Sequence, residues 1–411
     1  MGQCAETGEP LFPINDTGVT TYSNNNDILE ACATASTQAQ DCHHGRDNNS
    51  EIIKQGFGIA GFDFNKLDSN GVSLPLDADK WDCVVDHTTG LTWEIKLKNN
   101  EQSPRYYRHT YSWYQESLLH YSTPDNGACD ESAICDTQFY LAKLNESNLC
   151  GKSNWRLPTK SELQNIVNYG SLQPSIDINL FPNTVSEFYW TSTIDSDDEG
   201  SVWAVDFNVG RVAGSASNGG RYIRAVSRPT NVSEFELDLS LENSFTDTHR
   251  IEVAPLQRCN PDSQISTPTS RFKQTDANDI YDAFTGLVWK RCIEGTTGDF
   301  CENGSPLFLS WDEAQQHAAI ENTSDALNYD AWRIPNIKEL QSLIENQCEE
   351  PALNPFIFPN LPMEHVWSST PHPSTLAVGY YIQYQNGIIF YEDGRALKSV
   401  HLVKNHSGMD M

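Results

Sequence analysis

WRLPTKSELQNIV, residues 155–167, occurs a second time as WRIPNIKELQSLI at residues 332–344. Trp332 lies 177 residues after Trp155, and that spacing holds without a gap to the end of each copy. Pro174 meets Pro351, Phe181 meets Phe358, Trp190 meets Trp367, Gly210 meets Gly387 and Val226 meets Val403. Register kept so long marks a duplication, so the chain is built twice.

The repeated stretch predicts its own local structure. Pro158 is excluded from a helix interior but suits the residue just before one, and Thr159 followed by Glu162 has capping-box spacing. A helix therefore starts at Thr159, and Asn336 with Glu339 repeats the cap in the second copy. Leu163, Ile166 and Val167 form a narrow apolar stripe at helical spacing, matched by Leu340, Leu343 and Ile344. Glu162 and Glu339 read as structural. Arg156 and Arg333 either pair with a carboxylate inside the domain, the favoured reading, or face a ligand.

The chain has 411 residues, room for two or three domains with their own cores. Its 56 acidic residues face 27 basic ones, giving a net charge of -29. Such a surface repels phosphate backbones and anionic lipid, which argues against nucleic-acid partners and suits cation binding. No stretch approaches the roughly 18 apolar residues of a spanning helix, so no membrane insertion is expected. The opening MGQCAETGEP has neither a basic start nor an apolar run, so no signal sequence is visible.

The 11 cysteines lack the paired C-x-x-C spacing of a zinc site. Cys32 with Cys42, Cys129 with Cys135 and Cys292 with Cys301 are spaced to close short loops, and Cys83 with Cys150 is a further candidate. Disulfides imply an oxidising compartment, so the protein is expected outside the cell, at its surface or in the periplasm. An odd count leaves at least one thiol free or paired outside the chain.

In chain order, residues 1–80 read as a polar, loop-rich leader, 81–228 as the first domain, 229–270 as a linker, 271–404 as the second domain and 405–411 as a tail. Within the linker, Phe235, Leu237, Leu239 and Leu241 alternate as in a strand. Asp86 and Asp282 begin matching Asp-x-x-x-Gly-Leu-x-Trp turns that run to Trp93 and Trp289, and their carboxylates are expected to hold the turn backbone. Helices are expected over 112–120 and 137–144 in the first copy and 311–320 in the second. Each capped helix is followed by a meander of strands, so the fold class is α+β.

These motifs (Asp-x-x-Thr-Gly-Leu-x-Trp, Trp-Arg-Leu-Pro-Thr-x-x-Glu-Leu, Phe-Pro-Asn-Thr, Trp-Thr-Ser and the closing Tyr-Ile-Arg-Ala-Val) resemble the Lcl C-terminal domain family of bacteria, over about residues 81–228 and 271–404. The Arg-Leu-Pro-Thr-x-x-Glu element also resembles the formylglycine-generating enzyme group, which implies two tandem C-type-lectin-like domains. The family's namesake is an adhesin that attaches to sulfated glycosaminoglycans. That ligand seeks clusters of Lys and Arg, which this acidic chain does not favour, so a neutral glycan or a surface protein is the expected partner.

No enzyme is expected. The formylglycine-type cysteine pair is missing, because no cysteine follows Trp190 in the first copy or Cys348 in the second. No G-x-S-x-G elbow, H-E-x-x-H or Gly-rich phosphate loop occurs. The leading expectation is a secreted adhesion module. The alternative is a structural or assembly component of an extracellular filament, with self-association, and an enzyme whose site forms only in space stands third. Ligand chemistry is expected where the copies differ. The sharpest difference is the loop with Asp195, Asp197, Asp198 and Glu199, read either as solvated surface charge or as a Ca²⁺ site.

Overall fold

The computed structural model describes residues 14–23, 28–29, 40–43, 54–130, 134–196, 198–228, 257–263, 265–276, 278–322 and 331–406. In the first copy, strands β1 (Phe64–Leu67), β2 (Cys83–Asp86) and β3 (Thr92–Glu94) are followed by helix α1 (Thr137–Glu146), helix α2 (Lys160–Asn165), strands β4 (Phe188–Ile194), β5 (Ser201–Asp206) and β6 (Arg211–Ala216), and the short β7 (Val226–Ser227). A two-residue strand, β8 (Arg258–Cys259), precedes the second copy. That copy has β9 (Phe272–Gln274), β10 (Asp279–Asp282), β11 (Leu287–Lys290), β12 (Phe308–Leu309), α3 (Trp311–Glu321), α4 (Ile337–Ser342), β13 (Cys348–Glu349), β14 (His365–Pro371), β15 (Val378–Gln383), β16 (Ile389–Asp393), β17 (Lys398–Ser399) and β18 (Val403–Asn405).

Each copy closes its own four-stranded sheet, in the order β1-β2-β3-β7 and β9-β10-β11-β18. β8 pairs only with β13, and the other eight strands form one sheet, β12-β17-β14-β15-β16-β6-β5-β4, that crosses from copy to copy. The crossing point is an antiparallel pairing of β6 with β16 in which Val212 faces Ile389. Those residues are each other's counterparts at the 177 spacing. The copies therefore meet about a local two-fold axis, as the subunits of an isologous dimer do.

One apolar core lies beneath that joint. Leu163, Val167, Val205 and Val212 from the first copy pack in the same cluster as Leu340, Ile344, Ile382 and Ile389 from the second. The Tyr169 and Tyr380 rings meet edge to face at 4.9 Å, and the Tyr380 hydroxyl donates to the Val209 carbonyl at 2.7 Å. On the other face of the sheet each copy has a private core, with Trp113, Tyr140 and Trp190 in one and Trp311, Ala314 and Trp367 in the other.

The capped helices form as expected, with both capping boxes closed. At six residues each they are far below the length at which an isolated helix is stable, so their packing against each other and against the shared sheet sustains them. The tight turns after β5 and β15 press on this layer. Gly210 has φ +74°, and a Cβ there would lie 2.6 Å from the Tyr169 ring.

Expectation and structure part at residues 112–120. Tyr111 and Ser112 instead sit in β-bridges, and only a 3₁₀ turn, Glu116–Tyr121, follows. Trp113 still plays the part of Trp311, each indole donating to a backbone carbonyl of the matching strand of its copy, Thr191 in β4 and Ser368 in β14. The insertion carrying Cys129 and Cys135 separates Trp113 from α1, so the helix that runs directly from Trp311 in the second copy begins only at Thr137 in the first.

The leader, where described, is part of the fold. Asn15, Asp16, Thr17 and Val19 are buried. The Asn15 amide donates to Asp86 at 2.6 Å, Lys338 donates to the Asp16 carbonyl at 2.6 Å, and Thr370 donates to Asp41 at 2.9 Å. This segment thus touches both copies. The expected strand around Phe235 to Leu241 lies outside the described residues.

Candidate functional site

Asp86 and Asp282 hold their turns as expected. Asp86 accepts from the Thr88 amide at 2.9 Å and the Thr89 hydroxyl at 2.7 Å, and Asp282 from the Phe284 amide at 3.0 Å and the Thr285 hydroxyl at 2.7 Å. Their outer partners differ. Asp282 takes a bidentate Arg271, whereas Asp86 takes the leader's Asn15. Trp93 and Trp289 are fully buried, Trp155 nearly so, and Trp332 is partly exposed.

Arg156 reaches Glu162 through two bonds of 2.7 Å, and Arg333 reaches Glu339 through two of 2.6 Å. Both arginines thus form the internal ion pair. In the first copy Arg228 adds a third contact to Glu162 at 3.2 Å. Burial pushes the Glu162 carboxyl up, but the Arg156 guanidinium and the Thr159 amide outweigh it and hold it down to about 2. The pairs differ in setting: the Arg156 side chain is 36% exposed, against 5% for Arg333.

That exposure opens onto a cleft of about 740 Å³ between the copies. One wall comes from the first copy, with Arg156, Ser161, Glu162 and Gln164; the facing wall has Gln341, Ser342 and Asn346, and Asp262, Ser263, Ile265 and Ser266 close one side. The sequence carries one signal for it. Gln164 and Gln341 are identical at the 177 spacing, yet neither caps a helix nor belongs to the apolar stripe.

Among the described residues of the acidic loop, Asp195, Asp198 and Glu199 form no metal-ligand group. Asp195 is 9% exposed and faces Gly214, where a Cβ would stand 2.2 Å from its Oδ2, while Asp198 and Glu199 are exposed. Asp197 lies outside the described residues. Among the described residues the ligand-like group is a different one, Glu294, His317 and Glu321. Lys290 sits between its carboxylates, 2.8 Å from Glu294 and 2.9 Å from Glu321. Burial draws the Lys290 ammonium's pKa down, but the two carboxylates outweigh it and raise it, so a resident cation already balances this site.

Three expected disulfides are present, Cys83–Cys150, Cys129–Cys135 and Cys292–Cys301. Cys42 is also bonded, and its expected partner Cys32 lies outside the described residues. A bond missed by sequence reasoning, Cys259–Cys348, ties the end of the linker to the second copy, where β8 pairs with β13.

Comparison with known proteins finds the model of the Lcl C-terminal domain matching twice, over residues 82–227 and 278–404. No curated protein and no solved structure matches the chain.

Proposed function

We propose that this chain, which belongs to the Lcl C-terminal domain family through both of its copies, is a secreted binding protein that holds a glycan or a protein partner in the cleft between them. The observation that carries the reading is the cleft itself, an open space of mixed polar and apolar lining to which both copies and the linker contribute. Among its ionic groups, Arg156 and Arg228 are tied to Glu162, Arg271 to Asp282 and Lys338 to the Asp16 and Asn165 carbonyls, an arrangement suited to holding a shape. The C-type-lectin-like fold of each copy and the adhesive role belong to the same proposal. The four disulfides whose two cysteines both lie among the described residues are compatible with an extracellular or periplasmic location. Among the described residues no helix is long and apolar enough to cross a membrane.

A cleft built once from two copies takes one ligand per chain. Calorimetry with a partner found by screening surface glycans and proteins should return a stoichiometry near one. Two equivalent sites per chain would place binding on each copy's own loops and remove the cleft from consideration.

A further inference from the structure

Buried polar atoms in folded proteins nearly always have hydrogen-bond partners, and each exception calls for an explanation. Several exceptions in this chain gather along the cleft. Gln341 on α4 is 3% exposed, and neither its amide nitrogen nor its amide oxygen has a partner. Its counterpart Gln164 on α2 is 1% exposed. The Gln164 nitrogen donates to the Tyr169 hydroxyl at 2.9 Å, and that hydroxyl donates onward to the Gly210 carbonyl at 3.0 Å. This chain of donors fixes the orientation of the amide, so its oxygen is the atom left without a donor. Asn346 Oδ1 and Ser263 Oγ are also unpartnered, and all four residues line the cleft.

The kind of unpaired atom selects the ligand. Three are carboxamide oxygens, of Gln164, Gln341 and Asn346, which accept only; the donors are the Gln341 NH₂ and the Ser263 hydroxyl. Carboxylates, sulfates and phosphates are themselves acceptors and would set oxygen against oxygen. A peptide offers one N–H per residue at fixed spacing. A sugar ring offers several adjacent hydroxyls, each able to donate and accept at once. The Phe284 ring and the exposed Ile265 also line the cleft and supply apolar surface for a sugar's C–H face.

We propose that the cleft takes a neutral saccharide whose adjacent hydroxyls pair with Gln164, Gln341, Asn346 and Ser263. This rests on the cleft being the binding site. The two claims separate through two variants. Gln341→Leu removes both unpaired amide atoms at nearly constant volume, so it should fold at least as stably as the parent chain. Ser161→Trp, at a partly exposed position on α2, fills the cleft with an indole.

The full chain is screened on a printed array of neutral, uronic-acid and sulfated oligosaccharides, and the best neutral binder is then titrated by calorimetry. The expected result is binding to a neutral oligosaccharide, lost at least tenfold in Gln341→Leu and abolished in Ser161→Trp. Loss in Ser161→Trp with parental affinity in Gln341→Leu would overturn the hydroxyl pairing and keep the cleft. Parental affinity in both variants would overturn both. Binding only to charged oligosaccharides, or to none, would overturn the neutral-saccharide assignment and leave the unpaired amides to ordered water.

Discussion

Arg156–Glu162 and Arg333–Glu339 are the same pair in sequence and different pairs in energy. With both side chains under a tenth exposed, the second pair is enclosed, and removing one partner strands a buried charge, which costs about 3–5 kcal/mol. Arg156 can turn to water. Glu339→Gln should therefore cost about 3–5 kcal/mol in urea unfolding, and Glu162→Gln only about 1–2 kcal/mol, much of it from the weakened cap. Equal losses would contradict this account. His401, standing where the first copy has Arg224, is buried between the Tyr384 hydroxyl at 2.7 Å and the Lys290 carbonyl at 2.6 Å. Burial lowers its pKa from 6.5 to about 4. The folded state thus keeps His401 neutral while the unfolded state protonates, so stability is full above pH 6.5 and falls as pH drops towards 4. The slope from this one group is at most about 1.4 kcal/mol per pH unit. His401→Gln should lose that component, so the stability curves of the two proteins should converge as pH falls through this window. Parallel curves would exclude it.

Among elements, the short capped helices and the linker strand show how little of this fold is locally stable. α2 and α4 survive by burial, and every residue of α4 is buried. β8 has two residues and is held by Cys259–Cys348 across a separation of 89 residues. Loop-closure entropy assigns such a bond roughly 4.5 kcal/mol, against roughly 2.5 kcal/mol for Cys292–Cys301 with its separation of 9. Replacing both cysteines by serine in each pair separately should lower the melting temperature more for the long loop. The reverse order, measured by calorimetry on both variants, would show that strain or residual unfolded structure dominates. The helix expected over 112–120 failed here as well: Tyr111 and Ser112 are held in β-bridges to Arg221 and Asp136, which leaves only the 3₁₀ turn Glu116–Tyr121.

At the scale of the whole molecule, the copies are not beads on a string. The eight-stranded sheet and one apolar core run through both, so neither can unfold without exposing the other's buried face. A single calorimetric transition is expected, with calorimetric and van't Hoff enthalpies equal. Two resolved transitions would mean that the β6–β16 joint carries no cooperativity. Val212→Asp would place a charge on that joint and should lower the one transition as a unit.

The sequence by itself determined the duplication, the family, the caps, the two aspartate turns and the two short-loop disulfides, because each is written in residues a few positions apart or in strict register. It also contained the repeated glutamine, but an uncapped, non-core amide has no local signature. Tertiary structure alone decided that the copies join edge to edge through Val212 and Ile389, that the leader lies against both, and that Gln164 and Gln341 come to line one cleft. The physical reason is common to all three. Strand edges, buried carbonyls and unpaired amides acquire their partners from residues far away in the chain, and periodicity and spacing carry no information about which distant residue arrives.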